Sequence, residues 1–221
     1  MSNQKHPAQQ KQPPINEEWL ALREAVQKHA GTALTTVLVI AVAAVALWTV
    51  VQRRSHQAVE AQQLLASARS SSQFEDIVAR FPRSEAAPLA KLSLAKIHFD
   101  MGHYRDAMDT YDAFLEKWDT HPLASTAVLG KLFSLEALGA PEQIEEAEAG
   151  FRAFAETNPG HYLYPQARLG EARCKQHLGM LEEARSIYQN FLANHPDNPW
   201  EMQIEERLMD LERKIRRQQS S

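Results

Sequence analysis

Apolar and polar positions divide the chain into two regimes. Residues 30–52 carry no charge, and the run from Ala33 to Val51 is broken only by Thr35, Thr36 and Thr49. As a helix rising 1.5 Å per residue it would extend about 28 Å, close to the hydrocarbon thickness of a bilayer. A helix that is apolar on every face lacks the single stripe of a soluble one. The pattern predicts a transmembrane helix over about 31–52, with Trp48, Lys28, His29, Arg53 and Arg54 at headgroup level. Beyond residue 55 the apolar positions recur at helical spacing, interrupted by glycines and prolines, which predicts a series of short amphipathic helices.

A cleaved signal peptide is the competing explanation for the apolar run, with Ala41-Val42-Ala43 as its cleavage site. Against it, Glu17, Glu18 and Glu24 stand in the long segment before the run, and apolar residues continue past Ala43 to Val51. The expectation is an uncleaved signal anchor. The basic residues nearly tie across it: Lys5, Lys11, Arg23 and Lys28 on one side, Arg53, Arg54 and Arg69 on the other. Because long domains translocate largely regardless of charge, the N-terminus is expected in the cytoplasm and the C-terminal domain outside it. Residues 1–15 are rich in Gln, Pro and Lys and read as a disordered tail. Asn16 can cap a helix opened by Glu17 and Glu18, which brings Trp19, Leu20, Leu22 and Val26 to the membrane surface. No proline falls between Ile15 and Phe81, so one helix can run from the tail through the bilayer.

The remainder repeats itself. At equal offsets before Gly102, Gly139 and Gly179 stand Ala90, Ala127 and Ala167, then Leu92, Leu129 and Leu169, then Ser93, Gly130 and Gly170. Ala95, Leu132 and Ala172 follow, and Met101, Leu138 and Leu178 directly precede the glycines. After the glycines, Ala107, Tyr111 and Phe114 match Ala147, Phe151 and Phe154, and again Ala184, Tyr188 and Phe191. Small residues let two helices approach, aromatics one and two turns apart fill the space between hairpins, and glycine makes the tight turn. The glycines lie 37 and 40 residues apart, and Ala140-Pro141-Glu142 reads as an insertion in a turn. A last helix over 199–221 is expected, with Asn198 as cap, Pro199 at its first position and Trp200, Ile204, Leu208, Leu211 and Ile215 on one stripe. Arg213, Lys214, Arg216 and Arg217 gather at its C-terminal end, and a polar outer face suits the terminal helix of a solenoid. The alternative is a coiled-coil dimerisation arm.

This pattern resembles the tetratricopeptide repeat: Gly102-His103-Tyr104-Arg105-Asp106-Ala107 followed by Tyr111 fits its Gly-x-Tyr-x-x-Ala and aromatic positions. The resemblance covers about 68–196. Phe81-Pro82-Arg83-Ser84, after Phe74 and Ile77, resembles bacterial envelope members of that superfamily. Lys91, His98, Lys131, Arg168, Glu171 and Lys175 depart from it, standing where the family's first helices are usually apolar. The implied fold class is all-α: a disordered tail over 1–15, a juxtamembrane and transmembrane helix over 16–54, tetratricopeptide-like repeats over 55–198, and a capping helix over 199–221.

Composition agrees with helices. The chain holds 32 alanines against 8 glycines and 11 prolines, and no Asn-Gly or Asp-Gly pair that would signal a hairpin of strands. A net charge of -4 leaves no electrostatic footprint for nucleic acid. Cys174 is the one cysteine, which excludes an internal disulfide, a four-cysteine zinc site and lipid attachment near the N-terminus. Its repeat column holds Ile97 and Ser134, so it reads as a buried small residue. The nine histidines are scattered, without a His-Glu-x-x-His motif, and His98 and His177 read as ordinary surface or interhelix residues. Glu142, Glu145, Glu146 and Glu148 read as a solvated face, or as an attraction for a basic partner. With no phosphate loop, nucleotide fingerprint or nucleophile elbow, the chain reads as a non-enzyme without a metal or cofactor.

Binding is then the expected role. In the tetratricopeptide family the first helices line a groove, and carried through the matched glycines this puts Lys96, Phe99, Phe133, Glu136, Arg173 and Gln176 on its surface. Phe99 and Phe133 can equally pack inside the solenoid. The layout of tail, single anchor and repeat domain resembles the ancillary subunit family of the bacterial Sec translocon. That resemblance implies a single-pass inner-membrane protein with its repeats in the periplasm, linking the translocon to periplasmic chaperones. Its partners would be proteins or peptides, together with the lipid bilayer through the anchor. Two alternatives are a structural component coordinating cell-wall or outer-membrane assembly, and a scaffold facing the cytoplasm.

Overall fold

A computed structural model describes the backbone of residues 17–220 and the side chains of Glu24 and of residues 35–220. The tail over 1–15, the Asn16 cap and the side chains of Trp19, Leu20, Leu22, Val26, Lys28 and His29 lie outside the described residues. Among the described residues there are nine helices and no strand: α1 (Glu17–Ser67), α2 (Ser71–Arg80), α3 (Ala86–Asp100), α4 (Tyr104–Trp118), α5 (Ala124–Leu138), α6 (Pro141–Thr157), α7 (Tyr164–His177), α8 (Leu181–Asn194) and α9 (Glu201–Gln219). The chain forms two units, divided between His56 and Gln57.

In the first unit, α1 exposes Val37, Leu38, Val39, Ile40, Val42, Val45, Leu47 and Trp48. Among the described residues this is the one helix long and apolar enough to cross a membrane. In water so many exposed apolar side chains would be strongly unfavourable, at about 25 cal/mol for each Å² left uncovered.

The second unit is a stack of antiparallel hairpins, α3–α4, α5–α6 and α7–α8, each helix packing on the next and α9 closing the end. At its start Ala61, in the last turns of α1, and Ala68, just after it, pack with Phe74 and Ile77 of α2 and Ala86, Ala90 and Leu94 of α3. The small columns are what permit this. Ala90, Ala95, Ala127, Ala167 and Ala172 are fully buried, and the Tyr111 and Phe151 rings lie directly on the Cα atoms of Gly130 and Gly170. Gly102, Gly139 and Gly179 adopt φ of 78°, 80° and 76°, the left-handed conformation that closes each hairpin turn at little cost only for glycine.

The linkers between hairpins repeat as well. Ser84, His121, His161 and Asn198 each accept, through the backbone carbonyl, an amide from the start of the following helix. In three of them the side chain adds a second bond: Nδ1 of His121 and His161 accept the amides of Leu123 and Leu163 at 3.1 Å, and Oδ1 of Asn198 accepts that of Trp200 at 2.9 Å. Two histidines that look scattered along the sequence are therefore repeat equivalents, each set edge-on to the last core phenylalanine of its hairpin, Phe114 or Phe154.

Two sequence expectations are corrected here. Ala140-Pro141-Glu142 is not a turn insertion: Pro141 opens α6, so the added residues lengthen that helix to 17, against 15 for α4. The last helix begins at Glu201, after Pro199, because Asn198 spends its side chain on the linker turn. Its stripe holds as a gradient, with Ile204, Leu211 and Ile215 buried and Trp200 and Leu208 half-buried against the same cluster.

Candidate protein-binding surface

The first helices α3, α5 and α7 touch one another along the stack in addition to their hairpin partners. They form one surface, and the six expected groove residues belong to them. Lys96 is exposed and holds Asp100, one turn on, at 2.7–2.8 Å. Phe99 is half-buried, packs on the α3–α4 cluster and meets Tyr104 edge-on at 5.2 Å. Phe133 packs on Phe151 at 5.0 Å, with the Arg173 guanidinium 5.5 Å from its ring centre. Arg173 donates from Nε and Nη2 to the two carboxylate oxygens of Glu136 at 2.8 and 2.6 Å. Gln176 donates to the Tyr188 hydroxyl at 2.9 Å.

Phe133, Glu136 and Arg173 thus come together as one unit joining α5 to α7, while Lys96, Phe99 and Gln176 stand apart from it. Neither phenylalanine faces freely outward. Each fills the wedge between a first helix and its hairpin partner, because a ring there removes more apolar area from water than a solvated position allows. Burial of Arg173 works against its charge, but the bond and the charge of Glu136 outweigh this and raise its pKa above the ordinary arginine value. The bidentate pair fixes two neighbouring repeats in register and leaves Lys96 as the exposed charge of the six.

Four of the six polar residues at apolar repeat positions, Lys131, Arg168, Glu171 and Lys175, are paired in the same way. Lys131 pairs with Asp112 of the preceding hairpin at 2.8 Å. In α7, Arg168 holds Glu171 at 2.5 Å, and Lys175 reaches Glu148 at 3.4 Å and Glu183 at 2.9 Å, with Arg152 also on Glu148. This is an ionic seam across α6, α7 and α8. Glu148 is buried within it and so departs from the solvated acidic face formed by Glu142, Glu145 and Glu146. Burial raises the Glu171 pKa above 4.5, against the opposing pull of Arg168. Lys175 is raised, first by its hydrogen bond to Glu183. Cys174 is fully buried, and burial pushes its thiol up to about 12, which removes the thiolate a nucleophile needs.

The arrangement offers surface and register rather than reactive groups. Residues 53–219 match the YfiO family, described as outer membrane lipoprotein. No curated protein matches the sequence. The crystal structure of a tetratricopeptide repeat protein from Parabacteroides merdae ATCC 43184 is 18% identical, is covered over 72% of each chain, and has a TM-score of 0.36. Matched along most of its length and built of tetratricopeptide-type hairpins, the chain belongs to the YfiO family.

Proposed function

We propose that the chain is a membrane-tethered, non-catalytic adaptor whose first-helix surface binds proteins or extended peptides at the bacterial envelope. The helix over about 31–52 holds it in the inner membrane, with residues 1–15 in the cytoplasm and the hairpins outside it. The observation that carries this reading is the fully exposed apolar run of α1, joined to a repeat domain that α9 caps. The family's description names a lipoprotein, whereas the one cysteine of this chain is Cys174 in the core, so the apolar helix stands in for a lipid anchor. A tether raises the local concentration of a weak binder at its target, so the surface itself need not bind tightly. The Sec translocon and periplasmic chaperones are the partners this reading puts first.

The test is a pair of reporter fusions at Ser221, one active only after export and one only in the cytosol, followed by crosslinking from position 96. Export with crosslinks to translocon components supports the adaptor. Activity of the cytosolic reporter alone overturns it and leaves the cytoplasmic scaffold. The family match favours a second reading, a structural role in outer-membrane or cell-wall assembly. Its signature would be export without translocon crosslinks, together with self-association that Leu208→Glu abolishes.

A further inference from the structure

The turn between α3 and α4 brings together residues that the repeat pattern does not call for. His98 ends α3, His103 immediately precedes α4, and Asp106 lies in the first turn of α4. The left-handed Gly102 folds the chain back so that the amide of His103 bonds the carbonyl of His98 at 2.9 Å, and the two rings stand 6.4 Å apart. Asp106, three residues after His103, lies on the same side of the helix. One ligand atom from each residue falls within 4.8 Å of the other two.

Two further observations set this cluster apart. Nδ1 of His98 is buried and has no hydrogen-bond partner among the described residues, a position that costs about 1–3 kcal/mol when left unsatisfied. The same turn recurs at Gly139 and Gly179, where the residues equivalent to His98 and His103 are Leu135 and Ala140, then Lys175 and Met180. Closing the turn therefore needs neither histidine.

We infer that His98, His103 and Asp106 form a site for a divalent transition-metal cation of the zinc class. Two imidazole nitrogens and one carboxylate oxygen are the donor set that zinc and its neighbours accept, with the remaining position open to water. In zinc sites the ligand bonds are about 2.0–2.2 Å, so small rotamer changes at the exposed His103 and Asp106 would close the triad. A bound ion would cross-link the first helix of this hairpin to the second. It is independent of the adaptor reading.

The experiment is calorimetric titration of the full-length, tag-free chain in detergent micelles with zinc chloride, repeated with His103→Gln and Asp106→Asn. Both residues are exposed, so the variants keep the fold, which their circular dichroism checks. The expected result is one tight equivalent of zinc in the parent chain, weakened at least about tenfold in each variant, with cobalt giving a tetrahedral d–d absorption only in the parent. Absence of a tight equivalent in the parent, or equal affinity in His103→Gln, overturns the site.

Discussion

Replacing Gly130 by alanine sets two known effects against each other. A Cβ there would lie 2.3 Å from Cζ of Tyr111 and 2.6 and 2.7 Å from its two Cε atoms. Carbon atoms settle at about 3.5–4.0 Å, so the ring would have to withdraw by roughly 1 Å. Tyr111 is only 8% exposed and is packed with Ala95, Ala107, Phe114 and Ala127, which leaves it little room. Overpacking of this kind costs about 1–3 kcal/mol, while alanine in mid-helix gains about 1 kcal/mol over glycine. The net expectation is a loss of about 0–2 kcal/mol, so the informative quantity is the coupling. In a Tyr111→Leu background the obstacle is gone, and Gly130→Ala should stabilise by about 0.5–1 kcal/mol, a coupling of about 1–3 kcal/mol. Gly150→Ala is the control, since its Cβ would crowd the two methyls of Leu132, at 2.3 and 3.2 Å, which stand at the end of a rotatable side chain, and should cost less than Gly130→Ala. Urea unfolding of the full chain in micelles, followed by far-ultraviolet circular dichroism, measures the four proteins of the cycle and the control. If Gly130→Ala stabilises the parent as much as the Tyr111→Leu background, the close packing of ring on glycine is not what holds this interface.

Three further outcomes follow from the same geometry. Glu171→Gln should stabilise more at pH 7 than at pH 4. Burial raises the folded pKa above 4.5, so the cost of ionising Glu171 is absent below the unfolded value and complete above the folded one; an equal effect at both pH values contradicts this. His121→Ala should cost about 1 kcal/mol through the lost linker bond, and His121→Asn much less, because Asn198 makes the equivalent bond at the last linker; equal thermal losses in the two variants would rule out the capping role. Glu136→Gln and Arg173→Met should each cost about 1–3 kcal/mol, and the double variant less than their sum, since each single change strands a half-buried partner. Strict additivity in denaturant midpoints would show that the pair adds nothing to repeat register.

The helices were legible because hydrophobic period, alanine columns and turn glycines all point to the same hairpins. Ala127 and Gly130 announce a close approach whichever neighbour supplies the ring. What the sequence left hidden depends on the angle at which one helix meets the next. Arg173 and Glu136 are 37 residues apart, and nothing local distinguishes a pair joining repeats from two groups facing a groove. Phe133 likewise reads as either exposed or wedged until the position of Phe151 is known. His98 and His103 lie five apart, a spacing that puts them on different faces of a continuous helix and brings them together only because Gly102 reverses the chain. The bonds of His121 and His161 escaped for the opposite reason. Histidine seldom stands for Asn or Ser in a capping turn, so their column did not look like one.

The last helix has a consequence for how the molecule meets copies of itself. Each hairpin offers its successor an apolar face, and α9 covers the final one by packing on α8, with Ile204, Leu211 and Ile215 in one cluster with Leu181, Tyr188 and Phe191. A stack of repeats grows head to tail, and a head-to-tail contact between identical chains closes into a ring or, where the rotation does not close, continues as an open fibre. The outer side of α9 carries Glu205, Asp210, Arg213 and Arg216, all exposed, with Met202 and Met209 set singly among them, and so presents a mostly polar face to another copy. By ending the stack on a largely charged face, this helix leaves a further hairpin little apolar area to build on.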